Sequence, residues 1–393
     1  MRGGRIREVG SWNFVSKGFQ GQVVDLGEVV VTPGLVNSHC HLDYTAMEGL
    51  ISPRRSFSEW IQAIMALKAN WRFSEFADSW LLGAKSSMAS GTTTILDFEA
   101  IPELLPWIKK DLGLRVVSLL EVTNVSNPDS ASNVLRATLD LRSRCLSEGE
   151  EGTVGIAPHA PYSTKADLLQ VWSERLPDVP VCSSIHVAES SEEYEMFKNA
   201  RGGMFDWLGK FHSGLREESP VAYLKRNGLL RSEMVLVHVN YVDDQDVSMI
   251  ASAGSSVVHC PRSHAYFGHR PFPLERFLER GVNVCLGTDS MASMPKRSGR
   301  LGRLDLRSDM VAMANAYPSL SDVAILEMAT INGARALGMS GQIGEFSVGA
   351  QADLAVIPLN GHSHALAAVF DEQLESSHCM VRGRWVKTPD LNE

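Results

Sequence analysis

Two histidines lie two residues apart in the segment NSHCH at positions 37–41, namely His39 and His41. Alternate side chains of a β-strand share a face, so both imidazoles would point the same way from the end of a strand. Imidazole is a common ligand for zinc and iron, and the pair therefore indicates a metal site. Because this spacing alone is a weak motif, two polar residues that merely end a strand are the alternative.

Other apolar runs of the sequence also end in residues that can bind a metal. These residues are His159, His186, His238 and Asp289. The carboxyl ends of the strands in a parallel barrel meet at the face where barrel enzymes carry their active sites. We therefore predict that these side chains gather with the first pair at one rim. The alternative is that each of these residues is an ordinary polar residue with its own hydrogen-bond partner. It would then be a coincidence that every one of them lies at the end of a strand.

Three histidines and one carboxylate suit a hydrolytic zinc site, which keeps a position open for water. The metal lowers the pKa of that water, and another group must move its proton. Glu189 lies three residues after His186, and we assign it as general base and then general acid. A helix N-terminal carboxylate is the alternative for Glu189. His238 could orient the water and stabilise developing charge, or it could be a buried, hydrogen-bonded histidine.

Eight apolar runs rich in Val, Ile and Leu predict the strands that position these residues, buried on both faces. They span residues 34–41, 92–98, 115–122, 154–159, 181–187, 234–239, 255–260 and 283–288. Amphipathic helices are predicted at residues 58–71, 131–146, 165–172, 192–208, 221–227, 244–253, 274–280 and 320–337. This alternation predicts an α/β fold, a closed (β/α)₈ TIM barrel. A doubly wound open sheet is the alternative, but the glycine-rich phosphate loop typical of such sheets is not visible.

The two ends of the chain have a different pattern. Residues 1–33 predict two short strands around residues 17–21, and strand-like runs recur at 352–357 and 380–386. We expect a small β-sandwich domain formed by residues 1–33 and 342–393, next to a metal-dependent barrel of residues 34–341. The segment GGRI at positions 3–6 resembles the middle of a hairpin, which would fit a missing leading strand.

Composition narrows the class of protein. The chain has 393 residues, a formal net charge of −9 and 44% hydrophobic residues, which is ordinary globular usage. The acidic balance argues against nucleic acid or an anionic membrane as a partner. Six scattered cysteines without a CxxC pair indicate buried thiols in a reducing compartment, and neither a signal peptide nor a membrane span is evident. We expect a soluble, cytoplasmic protein with a small-molecule substrate, for which a homodimer is the commonest oligomer.

Several segments together resemble the amidohydrolase superfamily, in its deaminase and chlorohydrolase branch. That branch includes cytosine, guanine, S-adenosylhomocysteine and aminodeoxyfutalosine deaminases and triazine hydrolases. The matching segments are TPGLVNSHCH at 32–41, GTTT at 91–94, IHVAE at 185–189, HCPRS at 259–263, LGTDS at 286–290, IGE at 343–345 and GAQADL at 349–354. The similarity covers nearly the whole chain, and its motifs are specific in combination.

The resemblance implies one Zn²⁺ per chain, or Fe²⁺, held by His39, His41, His186 and Asp289. It implies proton transfer by Glu189 and His238, and Asp289 would also take a proton from the water. Some other branches bridge two metals with a carbamylated lysine at the end of the fourth strand. That strand ends here in His159 without a lysine, which favours a single metal.

The resemblance also suggests substrate contacts. His159 is similar in position to a histidine that contacts substrate in S-adenosylhomocysteine-deaminase-like members. His264 stands where many relatives have asparagine, so residues 264–269 are a candidate specificity loop. Arg262 could bind a carboxylate or phosphate, or it could form an ion pair that braces the rim. Trp60 could lie beside a flat ring, or it could be a core residue of an amphipathic helix.

Three functions remain open on these grounds. The first is hydrolytic deamination of an aminated heterocycle, a 6-aminopurine nucleoside derivative with aminodeoxyfutalosine as the leading candidate, by analogy with the family. The second is hydrolysis of a carbon–chlorine or amide bond at the same metal site, which includes ring hydrolysis. The third is an inactive metal-binding scaffold, although every expected ligand is present.

Overall fold

The structure, a computed structural model, describes residues 1–52, 56–108, 112–146, 153–179, 181–296 and 302–387. Twelve strands lie within these ranges. They are β1 (Val29–Pro33), β2 (Leu35–Cys40), β3 (Thr92–Glu99), β4 (Arg115–Val122), β5 (Val154–Pro158), β6 (Ser183–Val187), β7 (Met234–His238), β8 (Ser256–His259), β9 (Val284–Leu286), β10 (Leu354–Pro358), β11 (His378–Val381) and β12 (Arg384–Lys387).

Eight of these strands form the predicted barrel. β2–β3–β4–β5 and β6–β7–β8–β9 are two parallel four-stranded sheets. One junction is a parallel bridge between Cys40 and Asp289, and at the other the His186 amide donates to the His159 carbonyl oxygen at 3.0 Å. The (β/α)₈ barrel is confirmed, and the predicted ends of its strands differ from the observed ends by two residues or fewer.

Helices surround the barrel and close its amino-terminal end. A buried cluster joins apolar residues of the strands, such as Val36, Leu119 and Val237, to Ala334 of the helix Ile331–Ala336. The α-helices span Trp12–Val15, Phe57–Lys68, Phe73–Ala89, Leu105–Ile108, Ala131–Cys145, Ala166–Arg175, Ser191–Asn199, Gly203–Leu208, Pro220–Arg226, Asp244–Ala253, Pro261–Phe267, Leu274–Glu279, Leu306–Ala316, Asp322–Met328, Ile331–Ala336 and Ala365–Val369.

Two of the predicted helices are each divided in two. The prediction at 192–208 breaks after Asn199, because Ala200 and Gly202 adopt positive φ angles of 47° and 94°, which end a helix. The prediction at 320–337 breaks at Thr330, whose ψ of −94° is not helical. The long helix Phe73–Ala89 was not predicted. Its buried face is rich in small residues, and a Cβ on Gly83 would lie 2.3 Å from Thr45 Oγ1, so the helix packs closely on the segment after β2.

Both ends of the chain contribute to one antiparallel sheet, in the order β1–β10–β11–β12. The predicted run at 380–386 is in fact the hairpin β11–β12, whose turn residues Arg382 and Gly383 both have positive φ. The prediction of two strands around residues 17–21 is wrong. The structure instead has the helix Trp12–Val15 before this region and β1 well after it.

All six cysteines are free thiols, and five of them are buried. Among the described residues, none of the helices combines the length and the apolar character that crossing a membrane requires.

Candidate active site

The carboxyl ends of the barrel strands position the predicted metal ligands. His39 lies in β2, His186 in β6 and His238 at the end of β7, whereas His41 and Asp289 follow β2 and β9. His238 and Asp289 have positive φ angles of 73° and 56°. Such angles are costly for residues with a Cβ and occur where the surrounding structure holds the backbone in place. These strand ends therefore turn sharply to place their side chains.

The predicted ligands lie close together. Asp289 Oδ1 is 3.6 Å from His39 Nε2 and 3.8 Å from His41 Nε2. The ring of His186 is 4.9 Å from that of His39 and 5.4 Å from that of His41, between centroids. Three overlapping sets have ligand atoms within 4.8 Å of one another: His39–His186–His238, His39–His41–Asp289 and Glu189–His238–Asp289. The four predicted ligands are thus divided between two sets that share His39.

The chemistry of this group fits a metal ion. Both ring nitrogens of His39 and Nδ1 of His41 are buried and have no hydrogen-bond partner, which is unfavourable unless another ligand satisfies them. Burial, and then the charge of His186, lowers the pKa of His39 well below its usual value. Its imidazole is therefore neutral, the form that binds metals.

Neighbouring groups orient two of the ligands. His186 Nδ1 lies 2.8 Å from the His159 carbonyl oxygen, and donation there leaves Nε2 free to bind a metal. Ser263 Oγ donates to Asp289 Oδ2 at 2.5 Å. The reasoning from sequence did not assign Ser263 a role, although it lies in the HCPRS segment that carried the family resemblance.

The groups proposed for proton transfer are also adjacent. Glu189 Oε1 is 3.5 Å from His238 Nε2. The Glu189 amide donates to Glu193 Oε2 at 2.9 Å, and Asn240 Nδ2 donates to the Glu189 carbonyl oxygen at 3.0 Å. Burial, and then the charges of Asp289 and Glu193, raises the pKa of Glu189 well above its usual value. A carboxyl group with a raised pKa can both accept and donate a proton near neutral pH.

A cavity of about 470 Å³ opens at this group. His41, His186, His238, Glu189 and Asp289 line one end of it. Its volume lies within the range of about 300–1,000 Å³ that is typical of small-molecule sites. Apolar side chains form much of the remaining wall, and they are Trp60, Ile61, Ile64, Met65, Val125, Trp207, Leu208 and Phe211.

Two of the four predicted substrate contacts line the cavity. Trp60 is buried in its wall, and its indole Nε1 has no hydrogen-bond partner. His159 lies beside the metal group, where burial lowers its pKa to about 3, and its Nδ1 is 2.7 Å from Ser163 Oγ. Lys68, Tyr44 and Glu121 also line the cavity, and the reasoning from sequence did not identify them.

The other two predicted contacts are not among the described residues that line the cavity. Arg262 Nε donates to the buried Asp309 Oδ2 at 2.8 Å, and the Arg262 amide donates to Asp309 Oδ1 at 3.0 Å. This is the ion pair that was the alternative interpretation for Arg262. His264 Nδ1 is 3.0 Å from Asn240 Oδ1, so it contacts the residue that holds the Glu189 backbone.

Comparison with known proteins agrees with this arrangement. The profile of the amidohydrolase family matches residues 30–386. A 5-methylthioadenosine/S-adenosylhomocysteine deaminase from Syntrophobacter fumaroxidans is 30% identical over 398 residues, covering 98% of this chain and 86% of that protein.

Solved structures share the fold. Aminofutalosine deaminase from Helicobacter pylori, in complex with methylthio-coformycin, superposes with a TM-score of 0.81 at 19% identity, covering 98% of this chain and 94% of that one. A mutant of atrazine chlorohydrolase from Arthrobacter aurescens, complexed with zinc and atraton, superposes with a TM-score of 0.79 at 22% identity. The match covers 100% of this chain and 91% of that one. The chain belongs to the amidohydrolase family and is a hydrolase that acts on carbon–nitrogen bonds.

Proposed function

We propose that this protein hydrolytically deaminates a 6-aminopurine nucleoside derivative, with aminodeoxyfutalosine, S-adenosylhomocysteine and methylthioadenosine as the first substrates to test. The observation that carries the proposal is the convergence of the four proposed metal ligands with His238 and Glu189 at one end of a cavity of about 470 Å³. The names of the similar deaminases from Syntrophobacter fumaroxidans and Helicobacter pylori support the choice of adenine nucleosides.

His39, His41, His186 and Asp289 would hold one metal ion, for which we propose Zn²⁺, with Fe²⁺ as the alternative. Zinc in the similar chlorohydrolase structure supports this choice. When bound, the metal would lower the pKa of a water molecule and so provide a nucleophile at neutral pH. Ser263 would keep Asp289 oriented through its 2.5 Å hydrogen bond.

Glu189 would carry the proton. Water adds to the ring carbon that bears the amino group, and the Glu189 carboxylate takes the proton released. Glu189 then protonates the adjacent ring nitrogen with this first proton. The proton of the added hydroxyl group next passes through Glu189 to the amine, so that the added oxygen becomes a carbonyl, the carbon–nitrogen bond breaks and ammonia departs. His238, with its Nε2 3.5 Å from Glu189 Oε1, is close enough to stabilise the charge that develops on the added oxygen.

Trp60 and His159 would hold the flat base. The face of an indole ring suits a purine, and the buried, neutral His159 can hydrogen-bond to it without adding charge. These contacts would place the amino-bearing carbon near Glu189.

The test is ammonia release by the zinc-loaded enzyme from aminodeoxyfutalosine, S-adenosylhomocysteine, methylthioadenosine, adenosine, guanine, cytosine and an aminated triazine. We expect release from adenine nucleosides, its loss when a chelator removes the metal, and its return on adding zinc. Zinc bound at one ion per chain without ammonia release from any compound would contradict the proposal. Chloride release from a chlorinated triazine in a parallel assay would instead support the halide-hydrolase alternative.

A further inference from the structure

One carboxylate in the cavity has no role in the proposed chemistry. Glu121 is the second-last residue of β4, paired in register with Ala157 of β5. Its side chain lines the cavity and is half-buried. Within the described part of the chain, its carboxylate makes neither a hydrogen bond nor an ion pair. Because a carboxylate only accepts hydrogen bonds, a ligand that displaces water from the cavity would need to bring donors to Glu121.

A cation that lines the same cavity contacts a different residue. Lys68 donates a hydrogen bond to the Tyr44 hydroxyl, and its ammonium lies 4.7 Å from the centre of the Tyr44 ring. Among the described residues, Lys68 forms no ion pair with Glu121, so the Glu121 oxygens are available to a ligand that displaces water from the cavity.

The position of Glu121 along the cavity indicates which part of a ligand it meets. Tyr44 stacks on His41 with ring centroids 5.1 Å apart, and after burial the Glu121 charge is the largest cause that raises the pKa of Tyr44. Glu121 pairs with Ala157, two residues before His159, and the His159 ring is 4.9 Å from that of His186, so Glu121 lies on the strand beside the metal end of the cavity. Lys210 is exposed and marks the outer edge of the cavity, next to Phe211. A nucleoside with its base at the metal end would place its sugar beside Glu121 and its 5′-substituent further out.

We propose that Glu121 binds the vicinal hydroxyl groups of the substrate's sugar and so selects ribonucleosides. This inference rests on the proposed nucleoside deaminase function. Two adjacent hydroxyl donors match the two acceptor oxygens of one carboxylate, and hydrogen bonds to a charged acceptor are stronger than neutral ones. A substrate ammonium group is the competing partner, and the experiment separates the two.

The experiment compares wild type, Glu121→Gln and Glu121→Ala on aminodeoxyfutalosine, S-adenosylhomocysteine, methylthioadenosine and adenosine, and on the 2′,3′-dideoxy form of each. Wild type should lose about 10- to 100-fold in kcat/KM when the hydroxyls are removed. Glu121→Ala should show a similar loss on the hydroxylated substrates, mainly through KM, and a change within about twofold on the dideoxy forms. On the hydroxylated substrates, kcat/KM of Glu121→Gln should lie between that of wild type and that of Glu121→Ala. The exposed Glu103→Gln is the matched control, and thermal unfolding checks that every variant is folded.

Equal losses on the hydroxylated and dideoxy substrates would overturn the role of Glu121 and leave the deaminase proposal standing. A loss confined to S-adenosylhomocysteine, which carries an ammonium group, would assign Glu121 to that group instead. A folded, zinc-loaded wild type that deaminates none of the nucleosides would overturn the deaminase proposal, and this inference with it.

Discussion

The two ends of the cavity are built differently. Residues at the ends of barrel strands form the metal end, and hydrogen bonds orient two of them, His186 through the His159 carbonyl oxygen and Asp289 through Ser263. Helical side chains such as Trp60 and Met65 form the outer wall, and Met65 is 55% exposed. From this difference we expect the metal end to determine the reaction chemistry and the helical wall to contribute to the choice of substrate.

The largest effect should come from the metal end. Glu189→Gln keeps the shape of the side chain but removes the proton carrier, so kcat should fall by about 10²- to 10⁴-fold with the metal still bound. Steady-state ammonia release and metal analysis would measure this. Glu195→Gln, in the exposed part of the next helix, is the matched control. Undiminished turnover by Glu189→Gln would remove Glu189 from the mechanism.

A smaller effect is expected one contact further from the metal. Ser263→Ala removes the hydrogen bond to Asp289 Oδ2, so the metal should bind about 10- to 100-fold more weakly. Competition with a chelating dye would measure the affinity, and Ser263→Thr should recover part of it. Ser248→Ala, on the exposed surface of another helix, should match wild type. An unchanged affinity in Ser263→Ala would show that the strand ends hold Asp289 without this bond.

The outer wall should respond through substrate affinity. Trp60→Leu removes the aromatic face, so KM should rise by roughly two- to tenfold while kcat stays close to wild type. Trp107→Leu, at a tryptophan that is 79% exposed, controls for the loss of an indole ring. If Trp60→Leu lowered kcat by a larger factor than it raised KM, the outer wall would contribute to the reaction step as well as to substrate binding, and the proposed contrast between the two ends would be wrong.

The smallest kinetic effect is expected at Arg262, which the structure pairs with buried Asp309. Arg262→Met should leave KM within about twofold of wild type. It should lower the free energy of unfolding by about 3–5 kcal/mol, because it leaves a buried carboxylate unpaired. Arg276→Met, which breaks the exposed pair with Asp244, should cost at most about 1 kcal/mol. A large rise in KM without loss of stability would make Arg262 an anion-binding residue after all.

The same contrast explains what the sequence could predict. Apolar runs end where barrel strands end, so the pattern of residues is enough to place His39, His186, His238 and Asp289 at one rim. Lys68 and Glu121 could not be assigned in this way. Whether a helical or half-buried residue faces the cavity depends on how the elements pack, and neither residue belongs to a recognisable motif.

The errors have similar causes. The helix Phe73–Ala89 uses small residues to pack closely, as Gly83 does against Thr45, and such a face does not show as a strong apolar stripe. The break between the two helices depends on the left-handed backbone conformation of Ala200. Because Ala200 is not a glycine, the sequence does not indicate this conformation.

The sheet that joins both ends of the chain has a consequence for biosynthesis. Val29 of β1 pairs with Pro358 of β10, so β1 lacks its partner until the ribosome has translated the long segment between these two residues. At about 5–20 residues per second, the ribosome needs on the order of tens of seconds to cover that interval. Throughout this time a valine-rich strand has unpaired edges, which favours pairing with other chains.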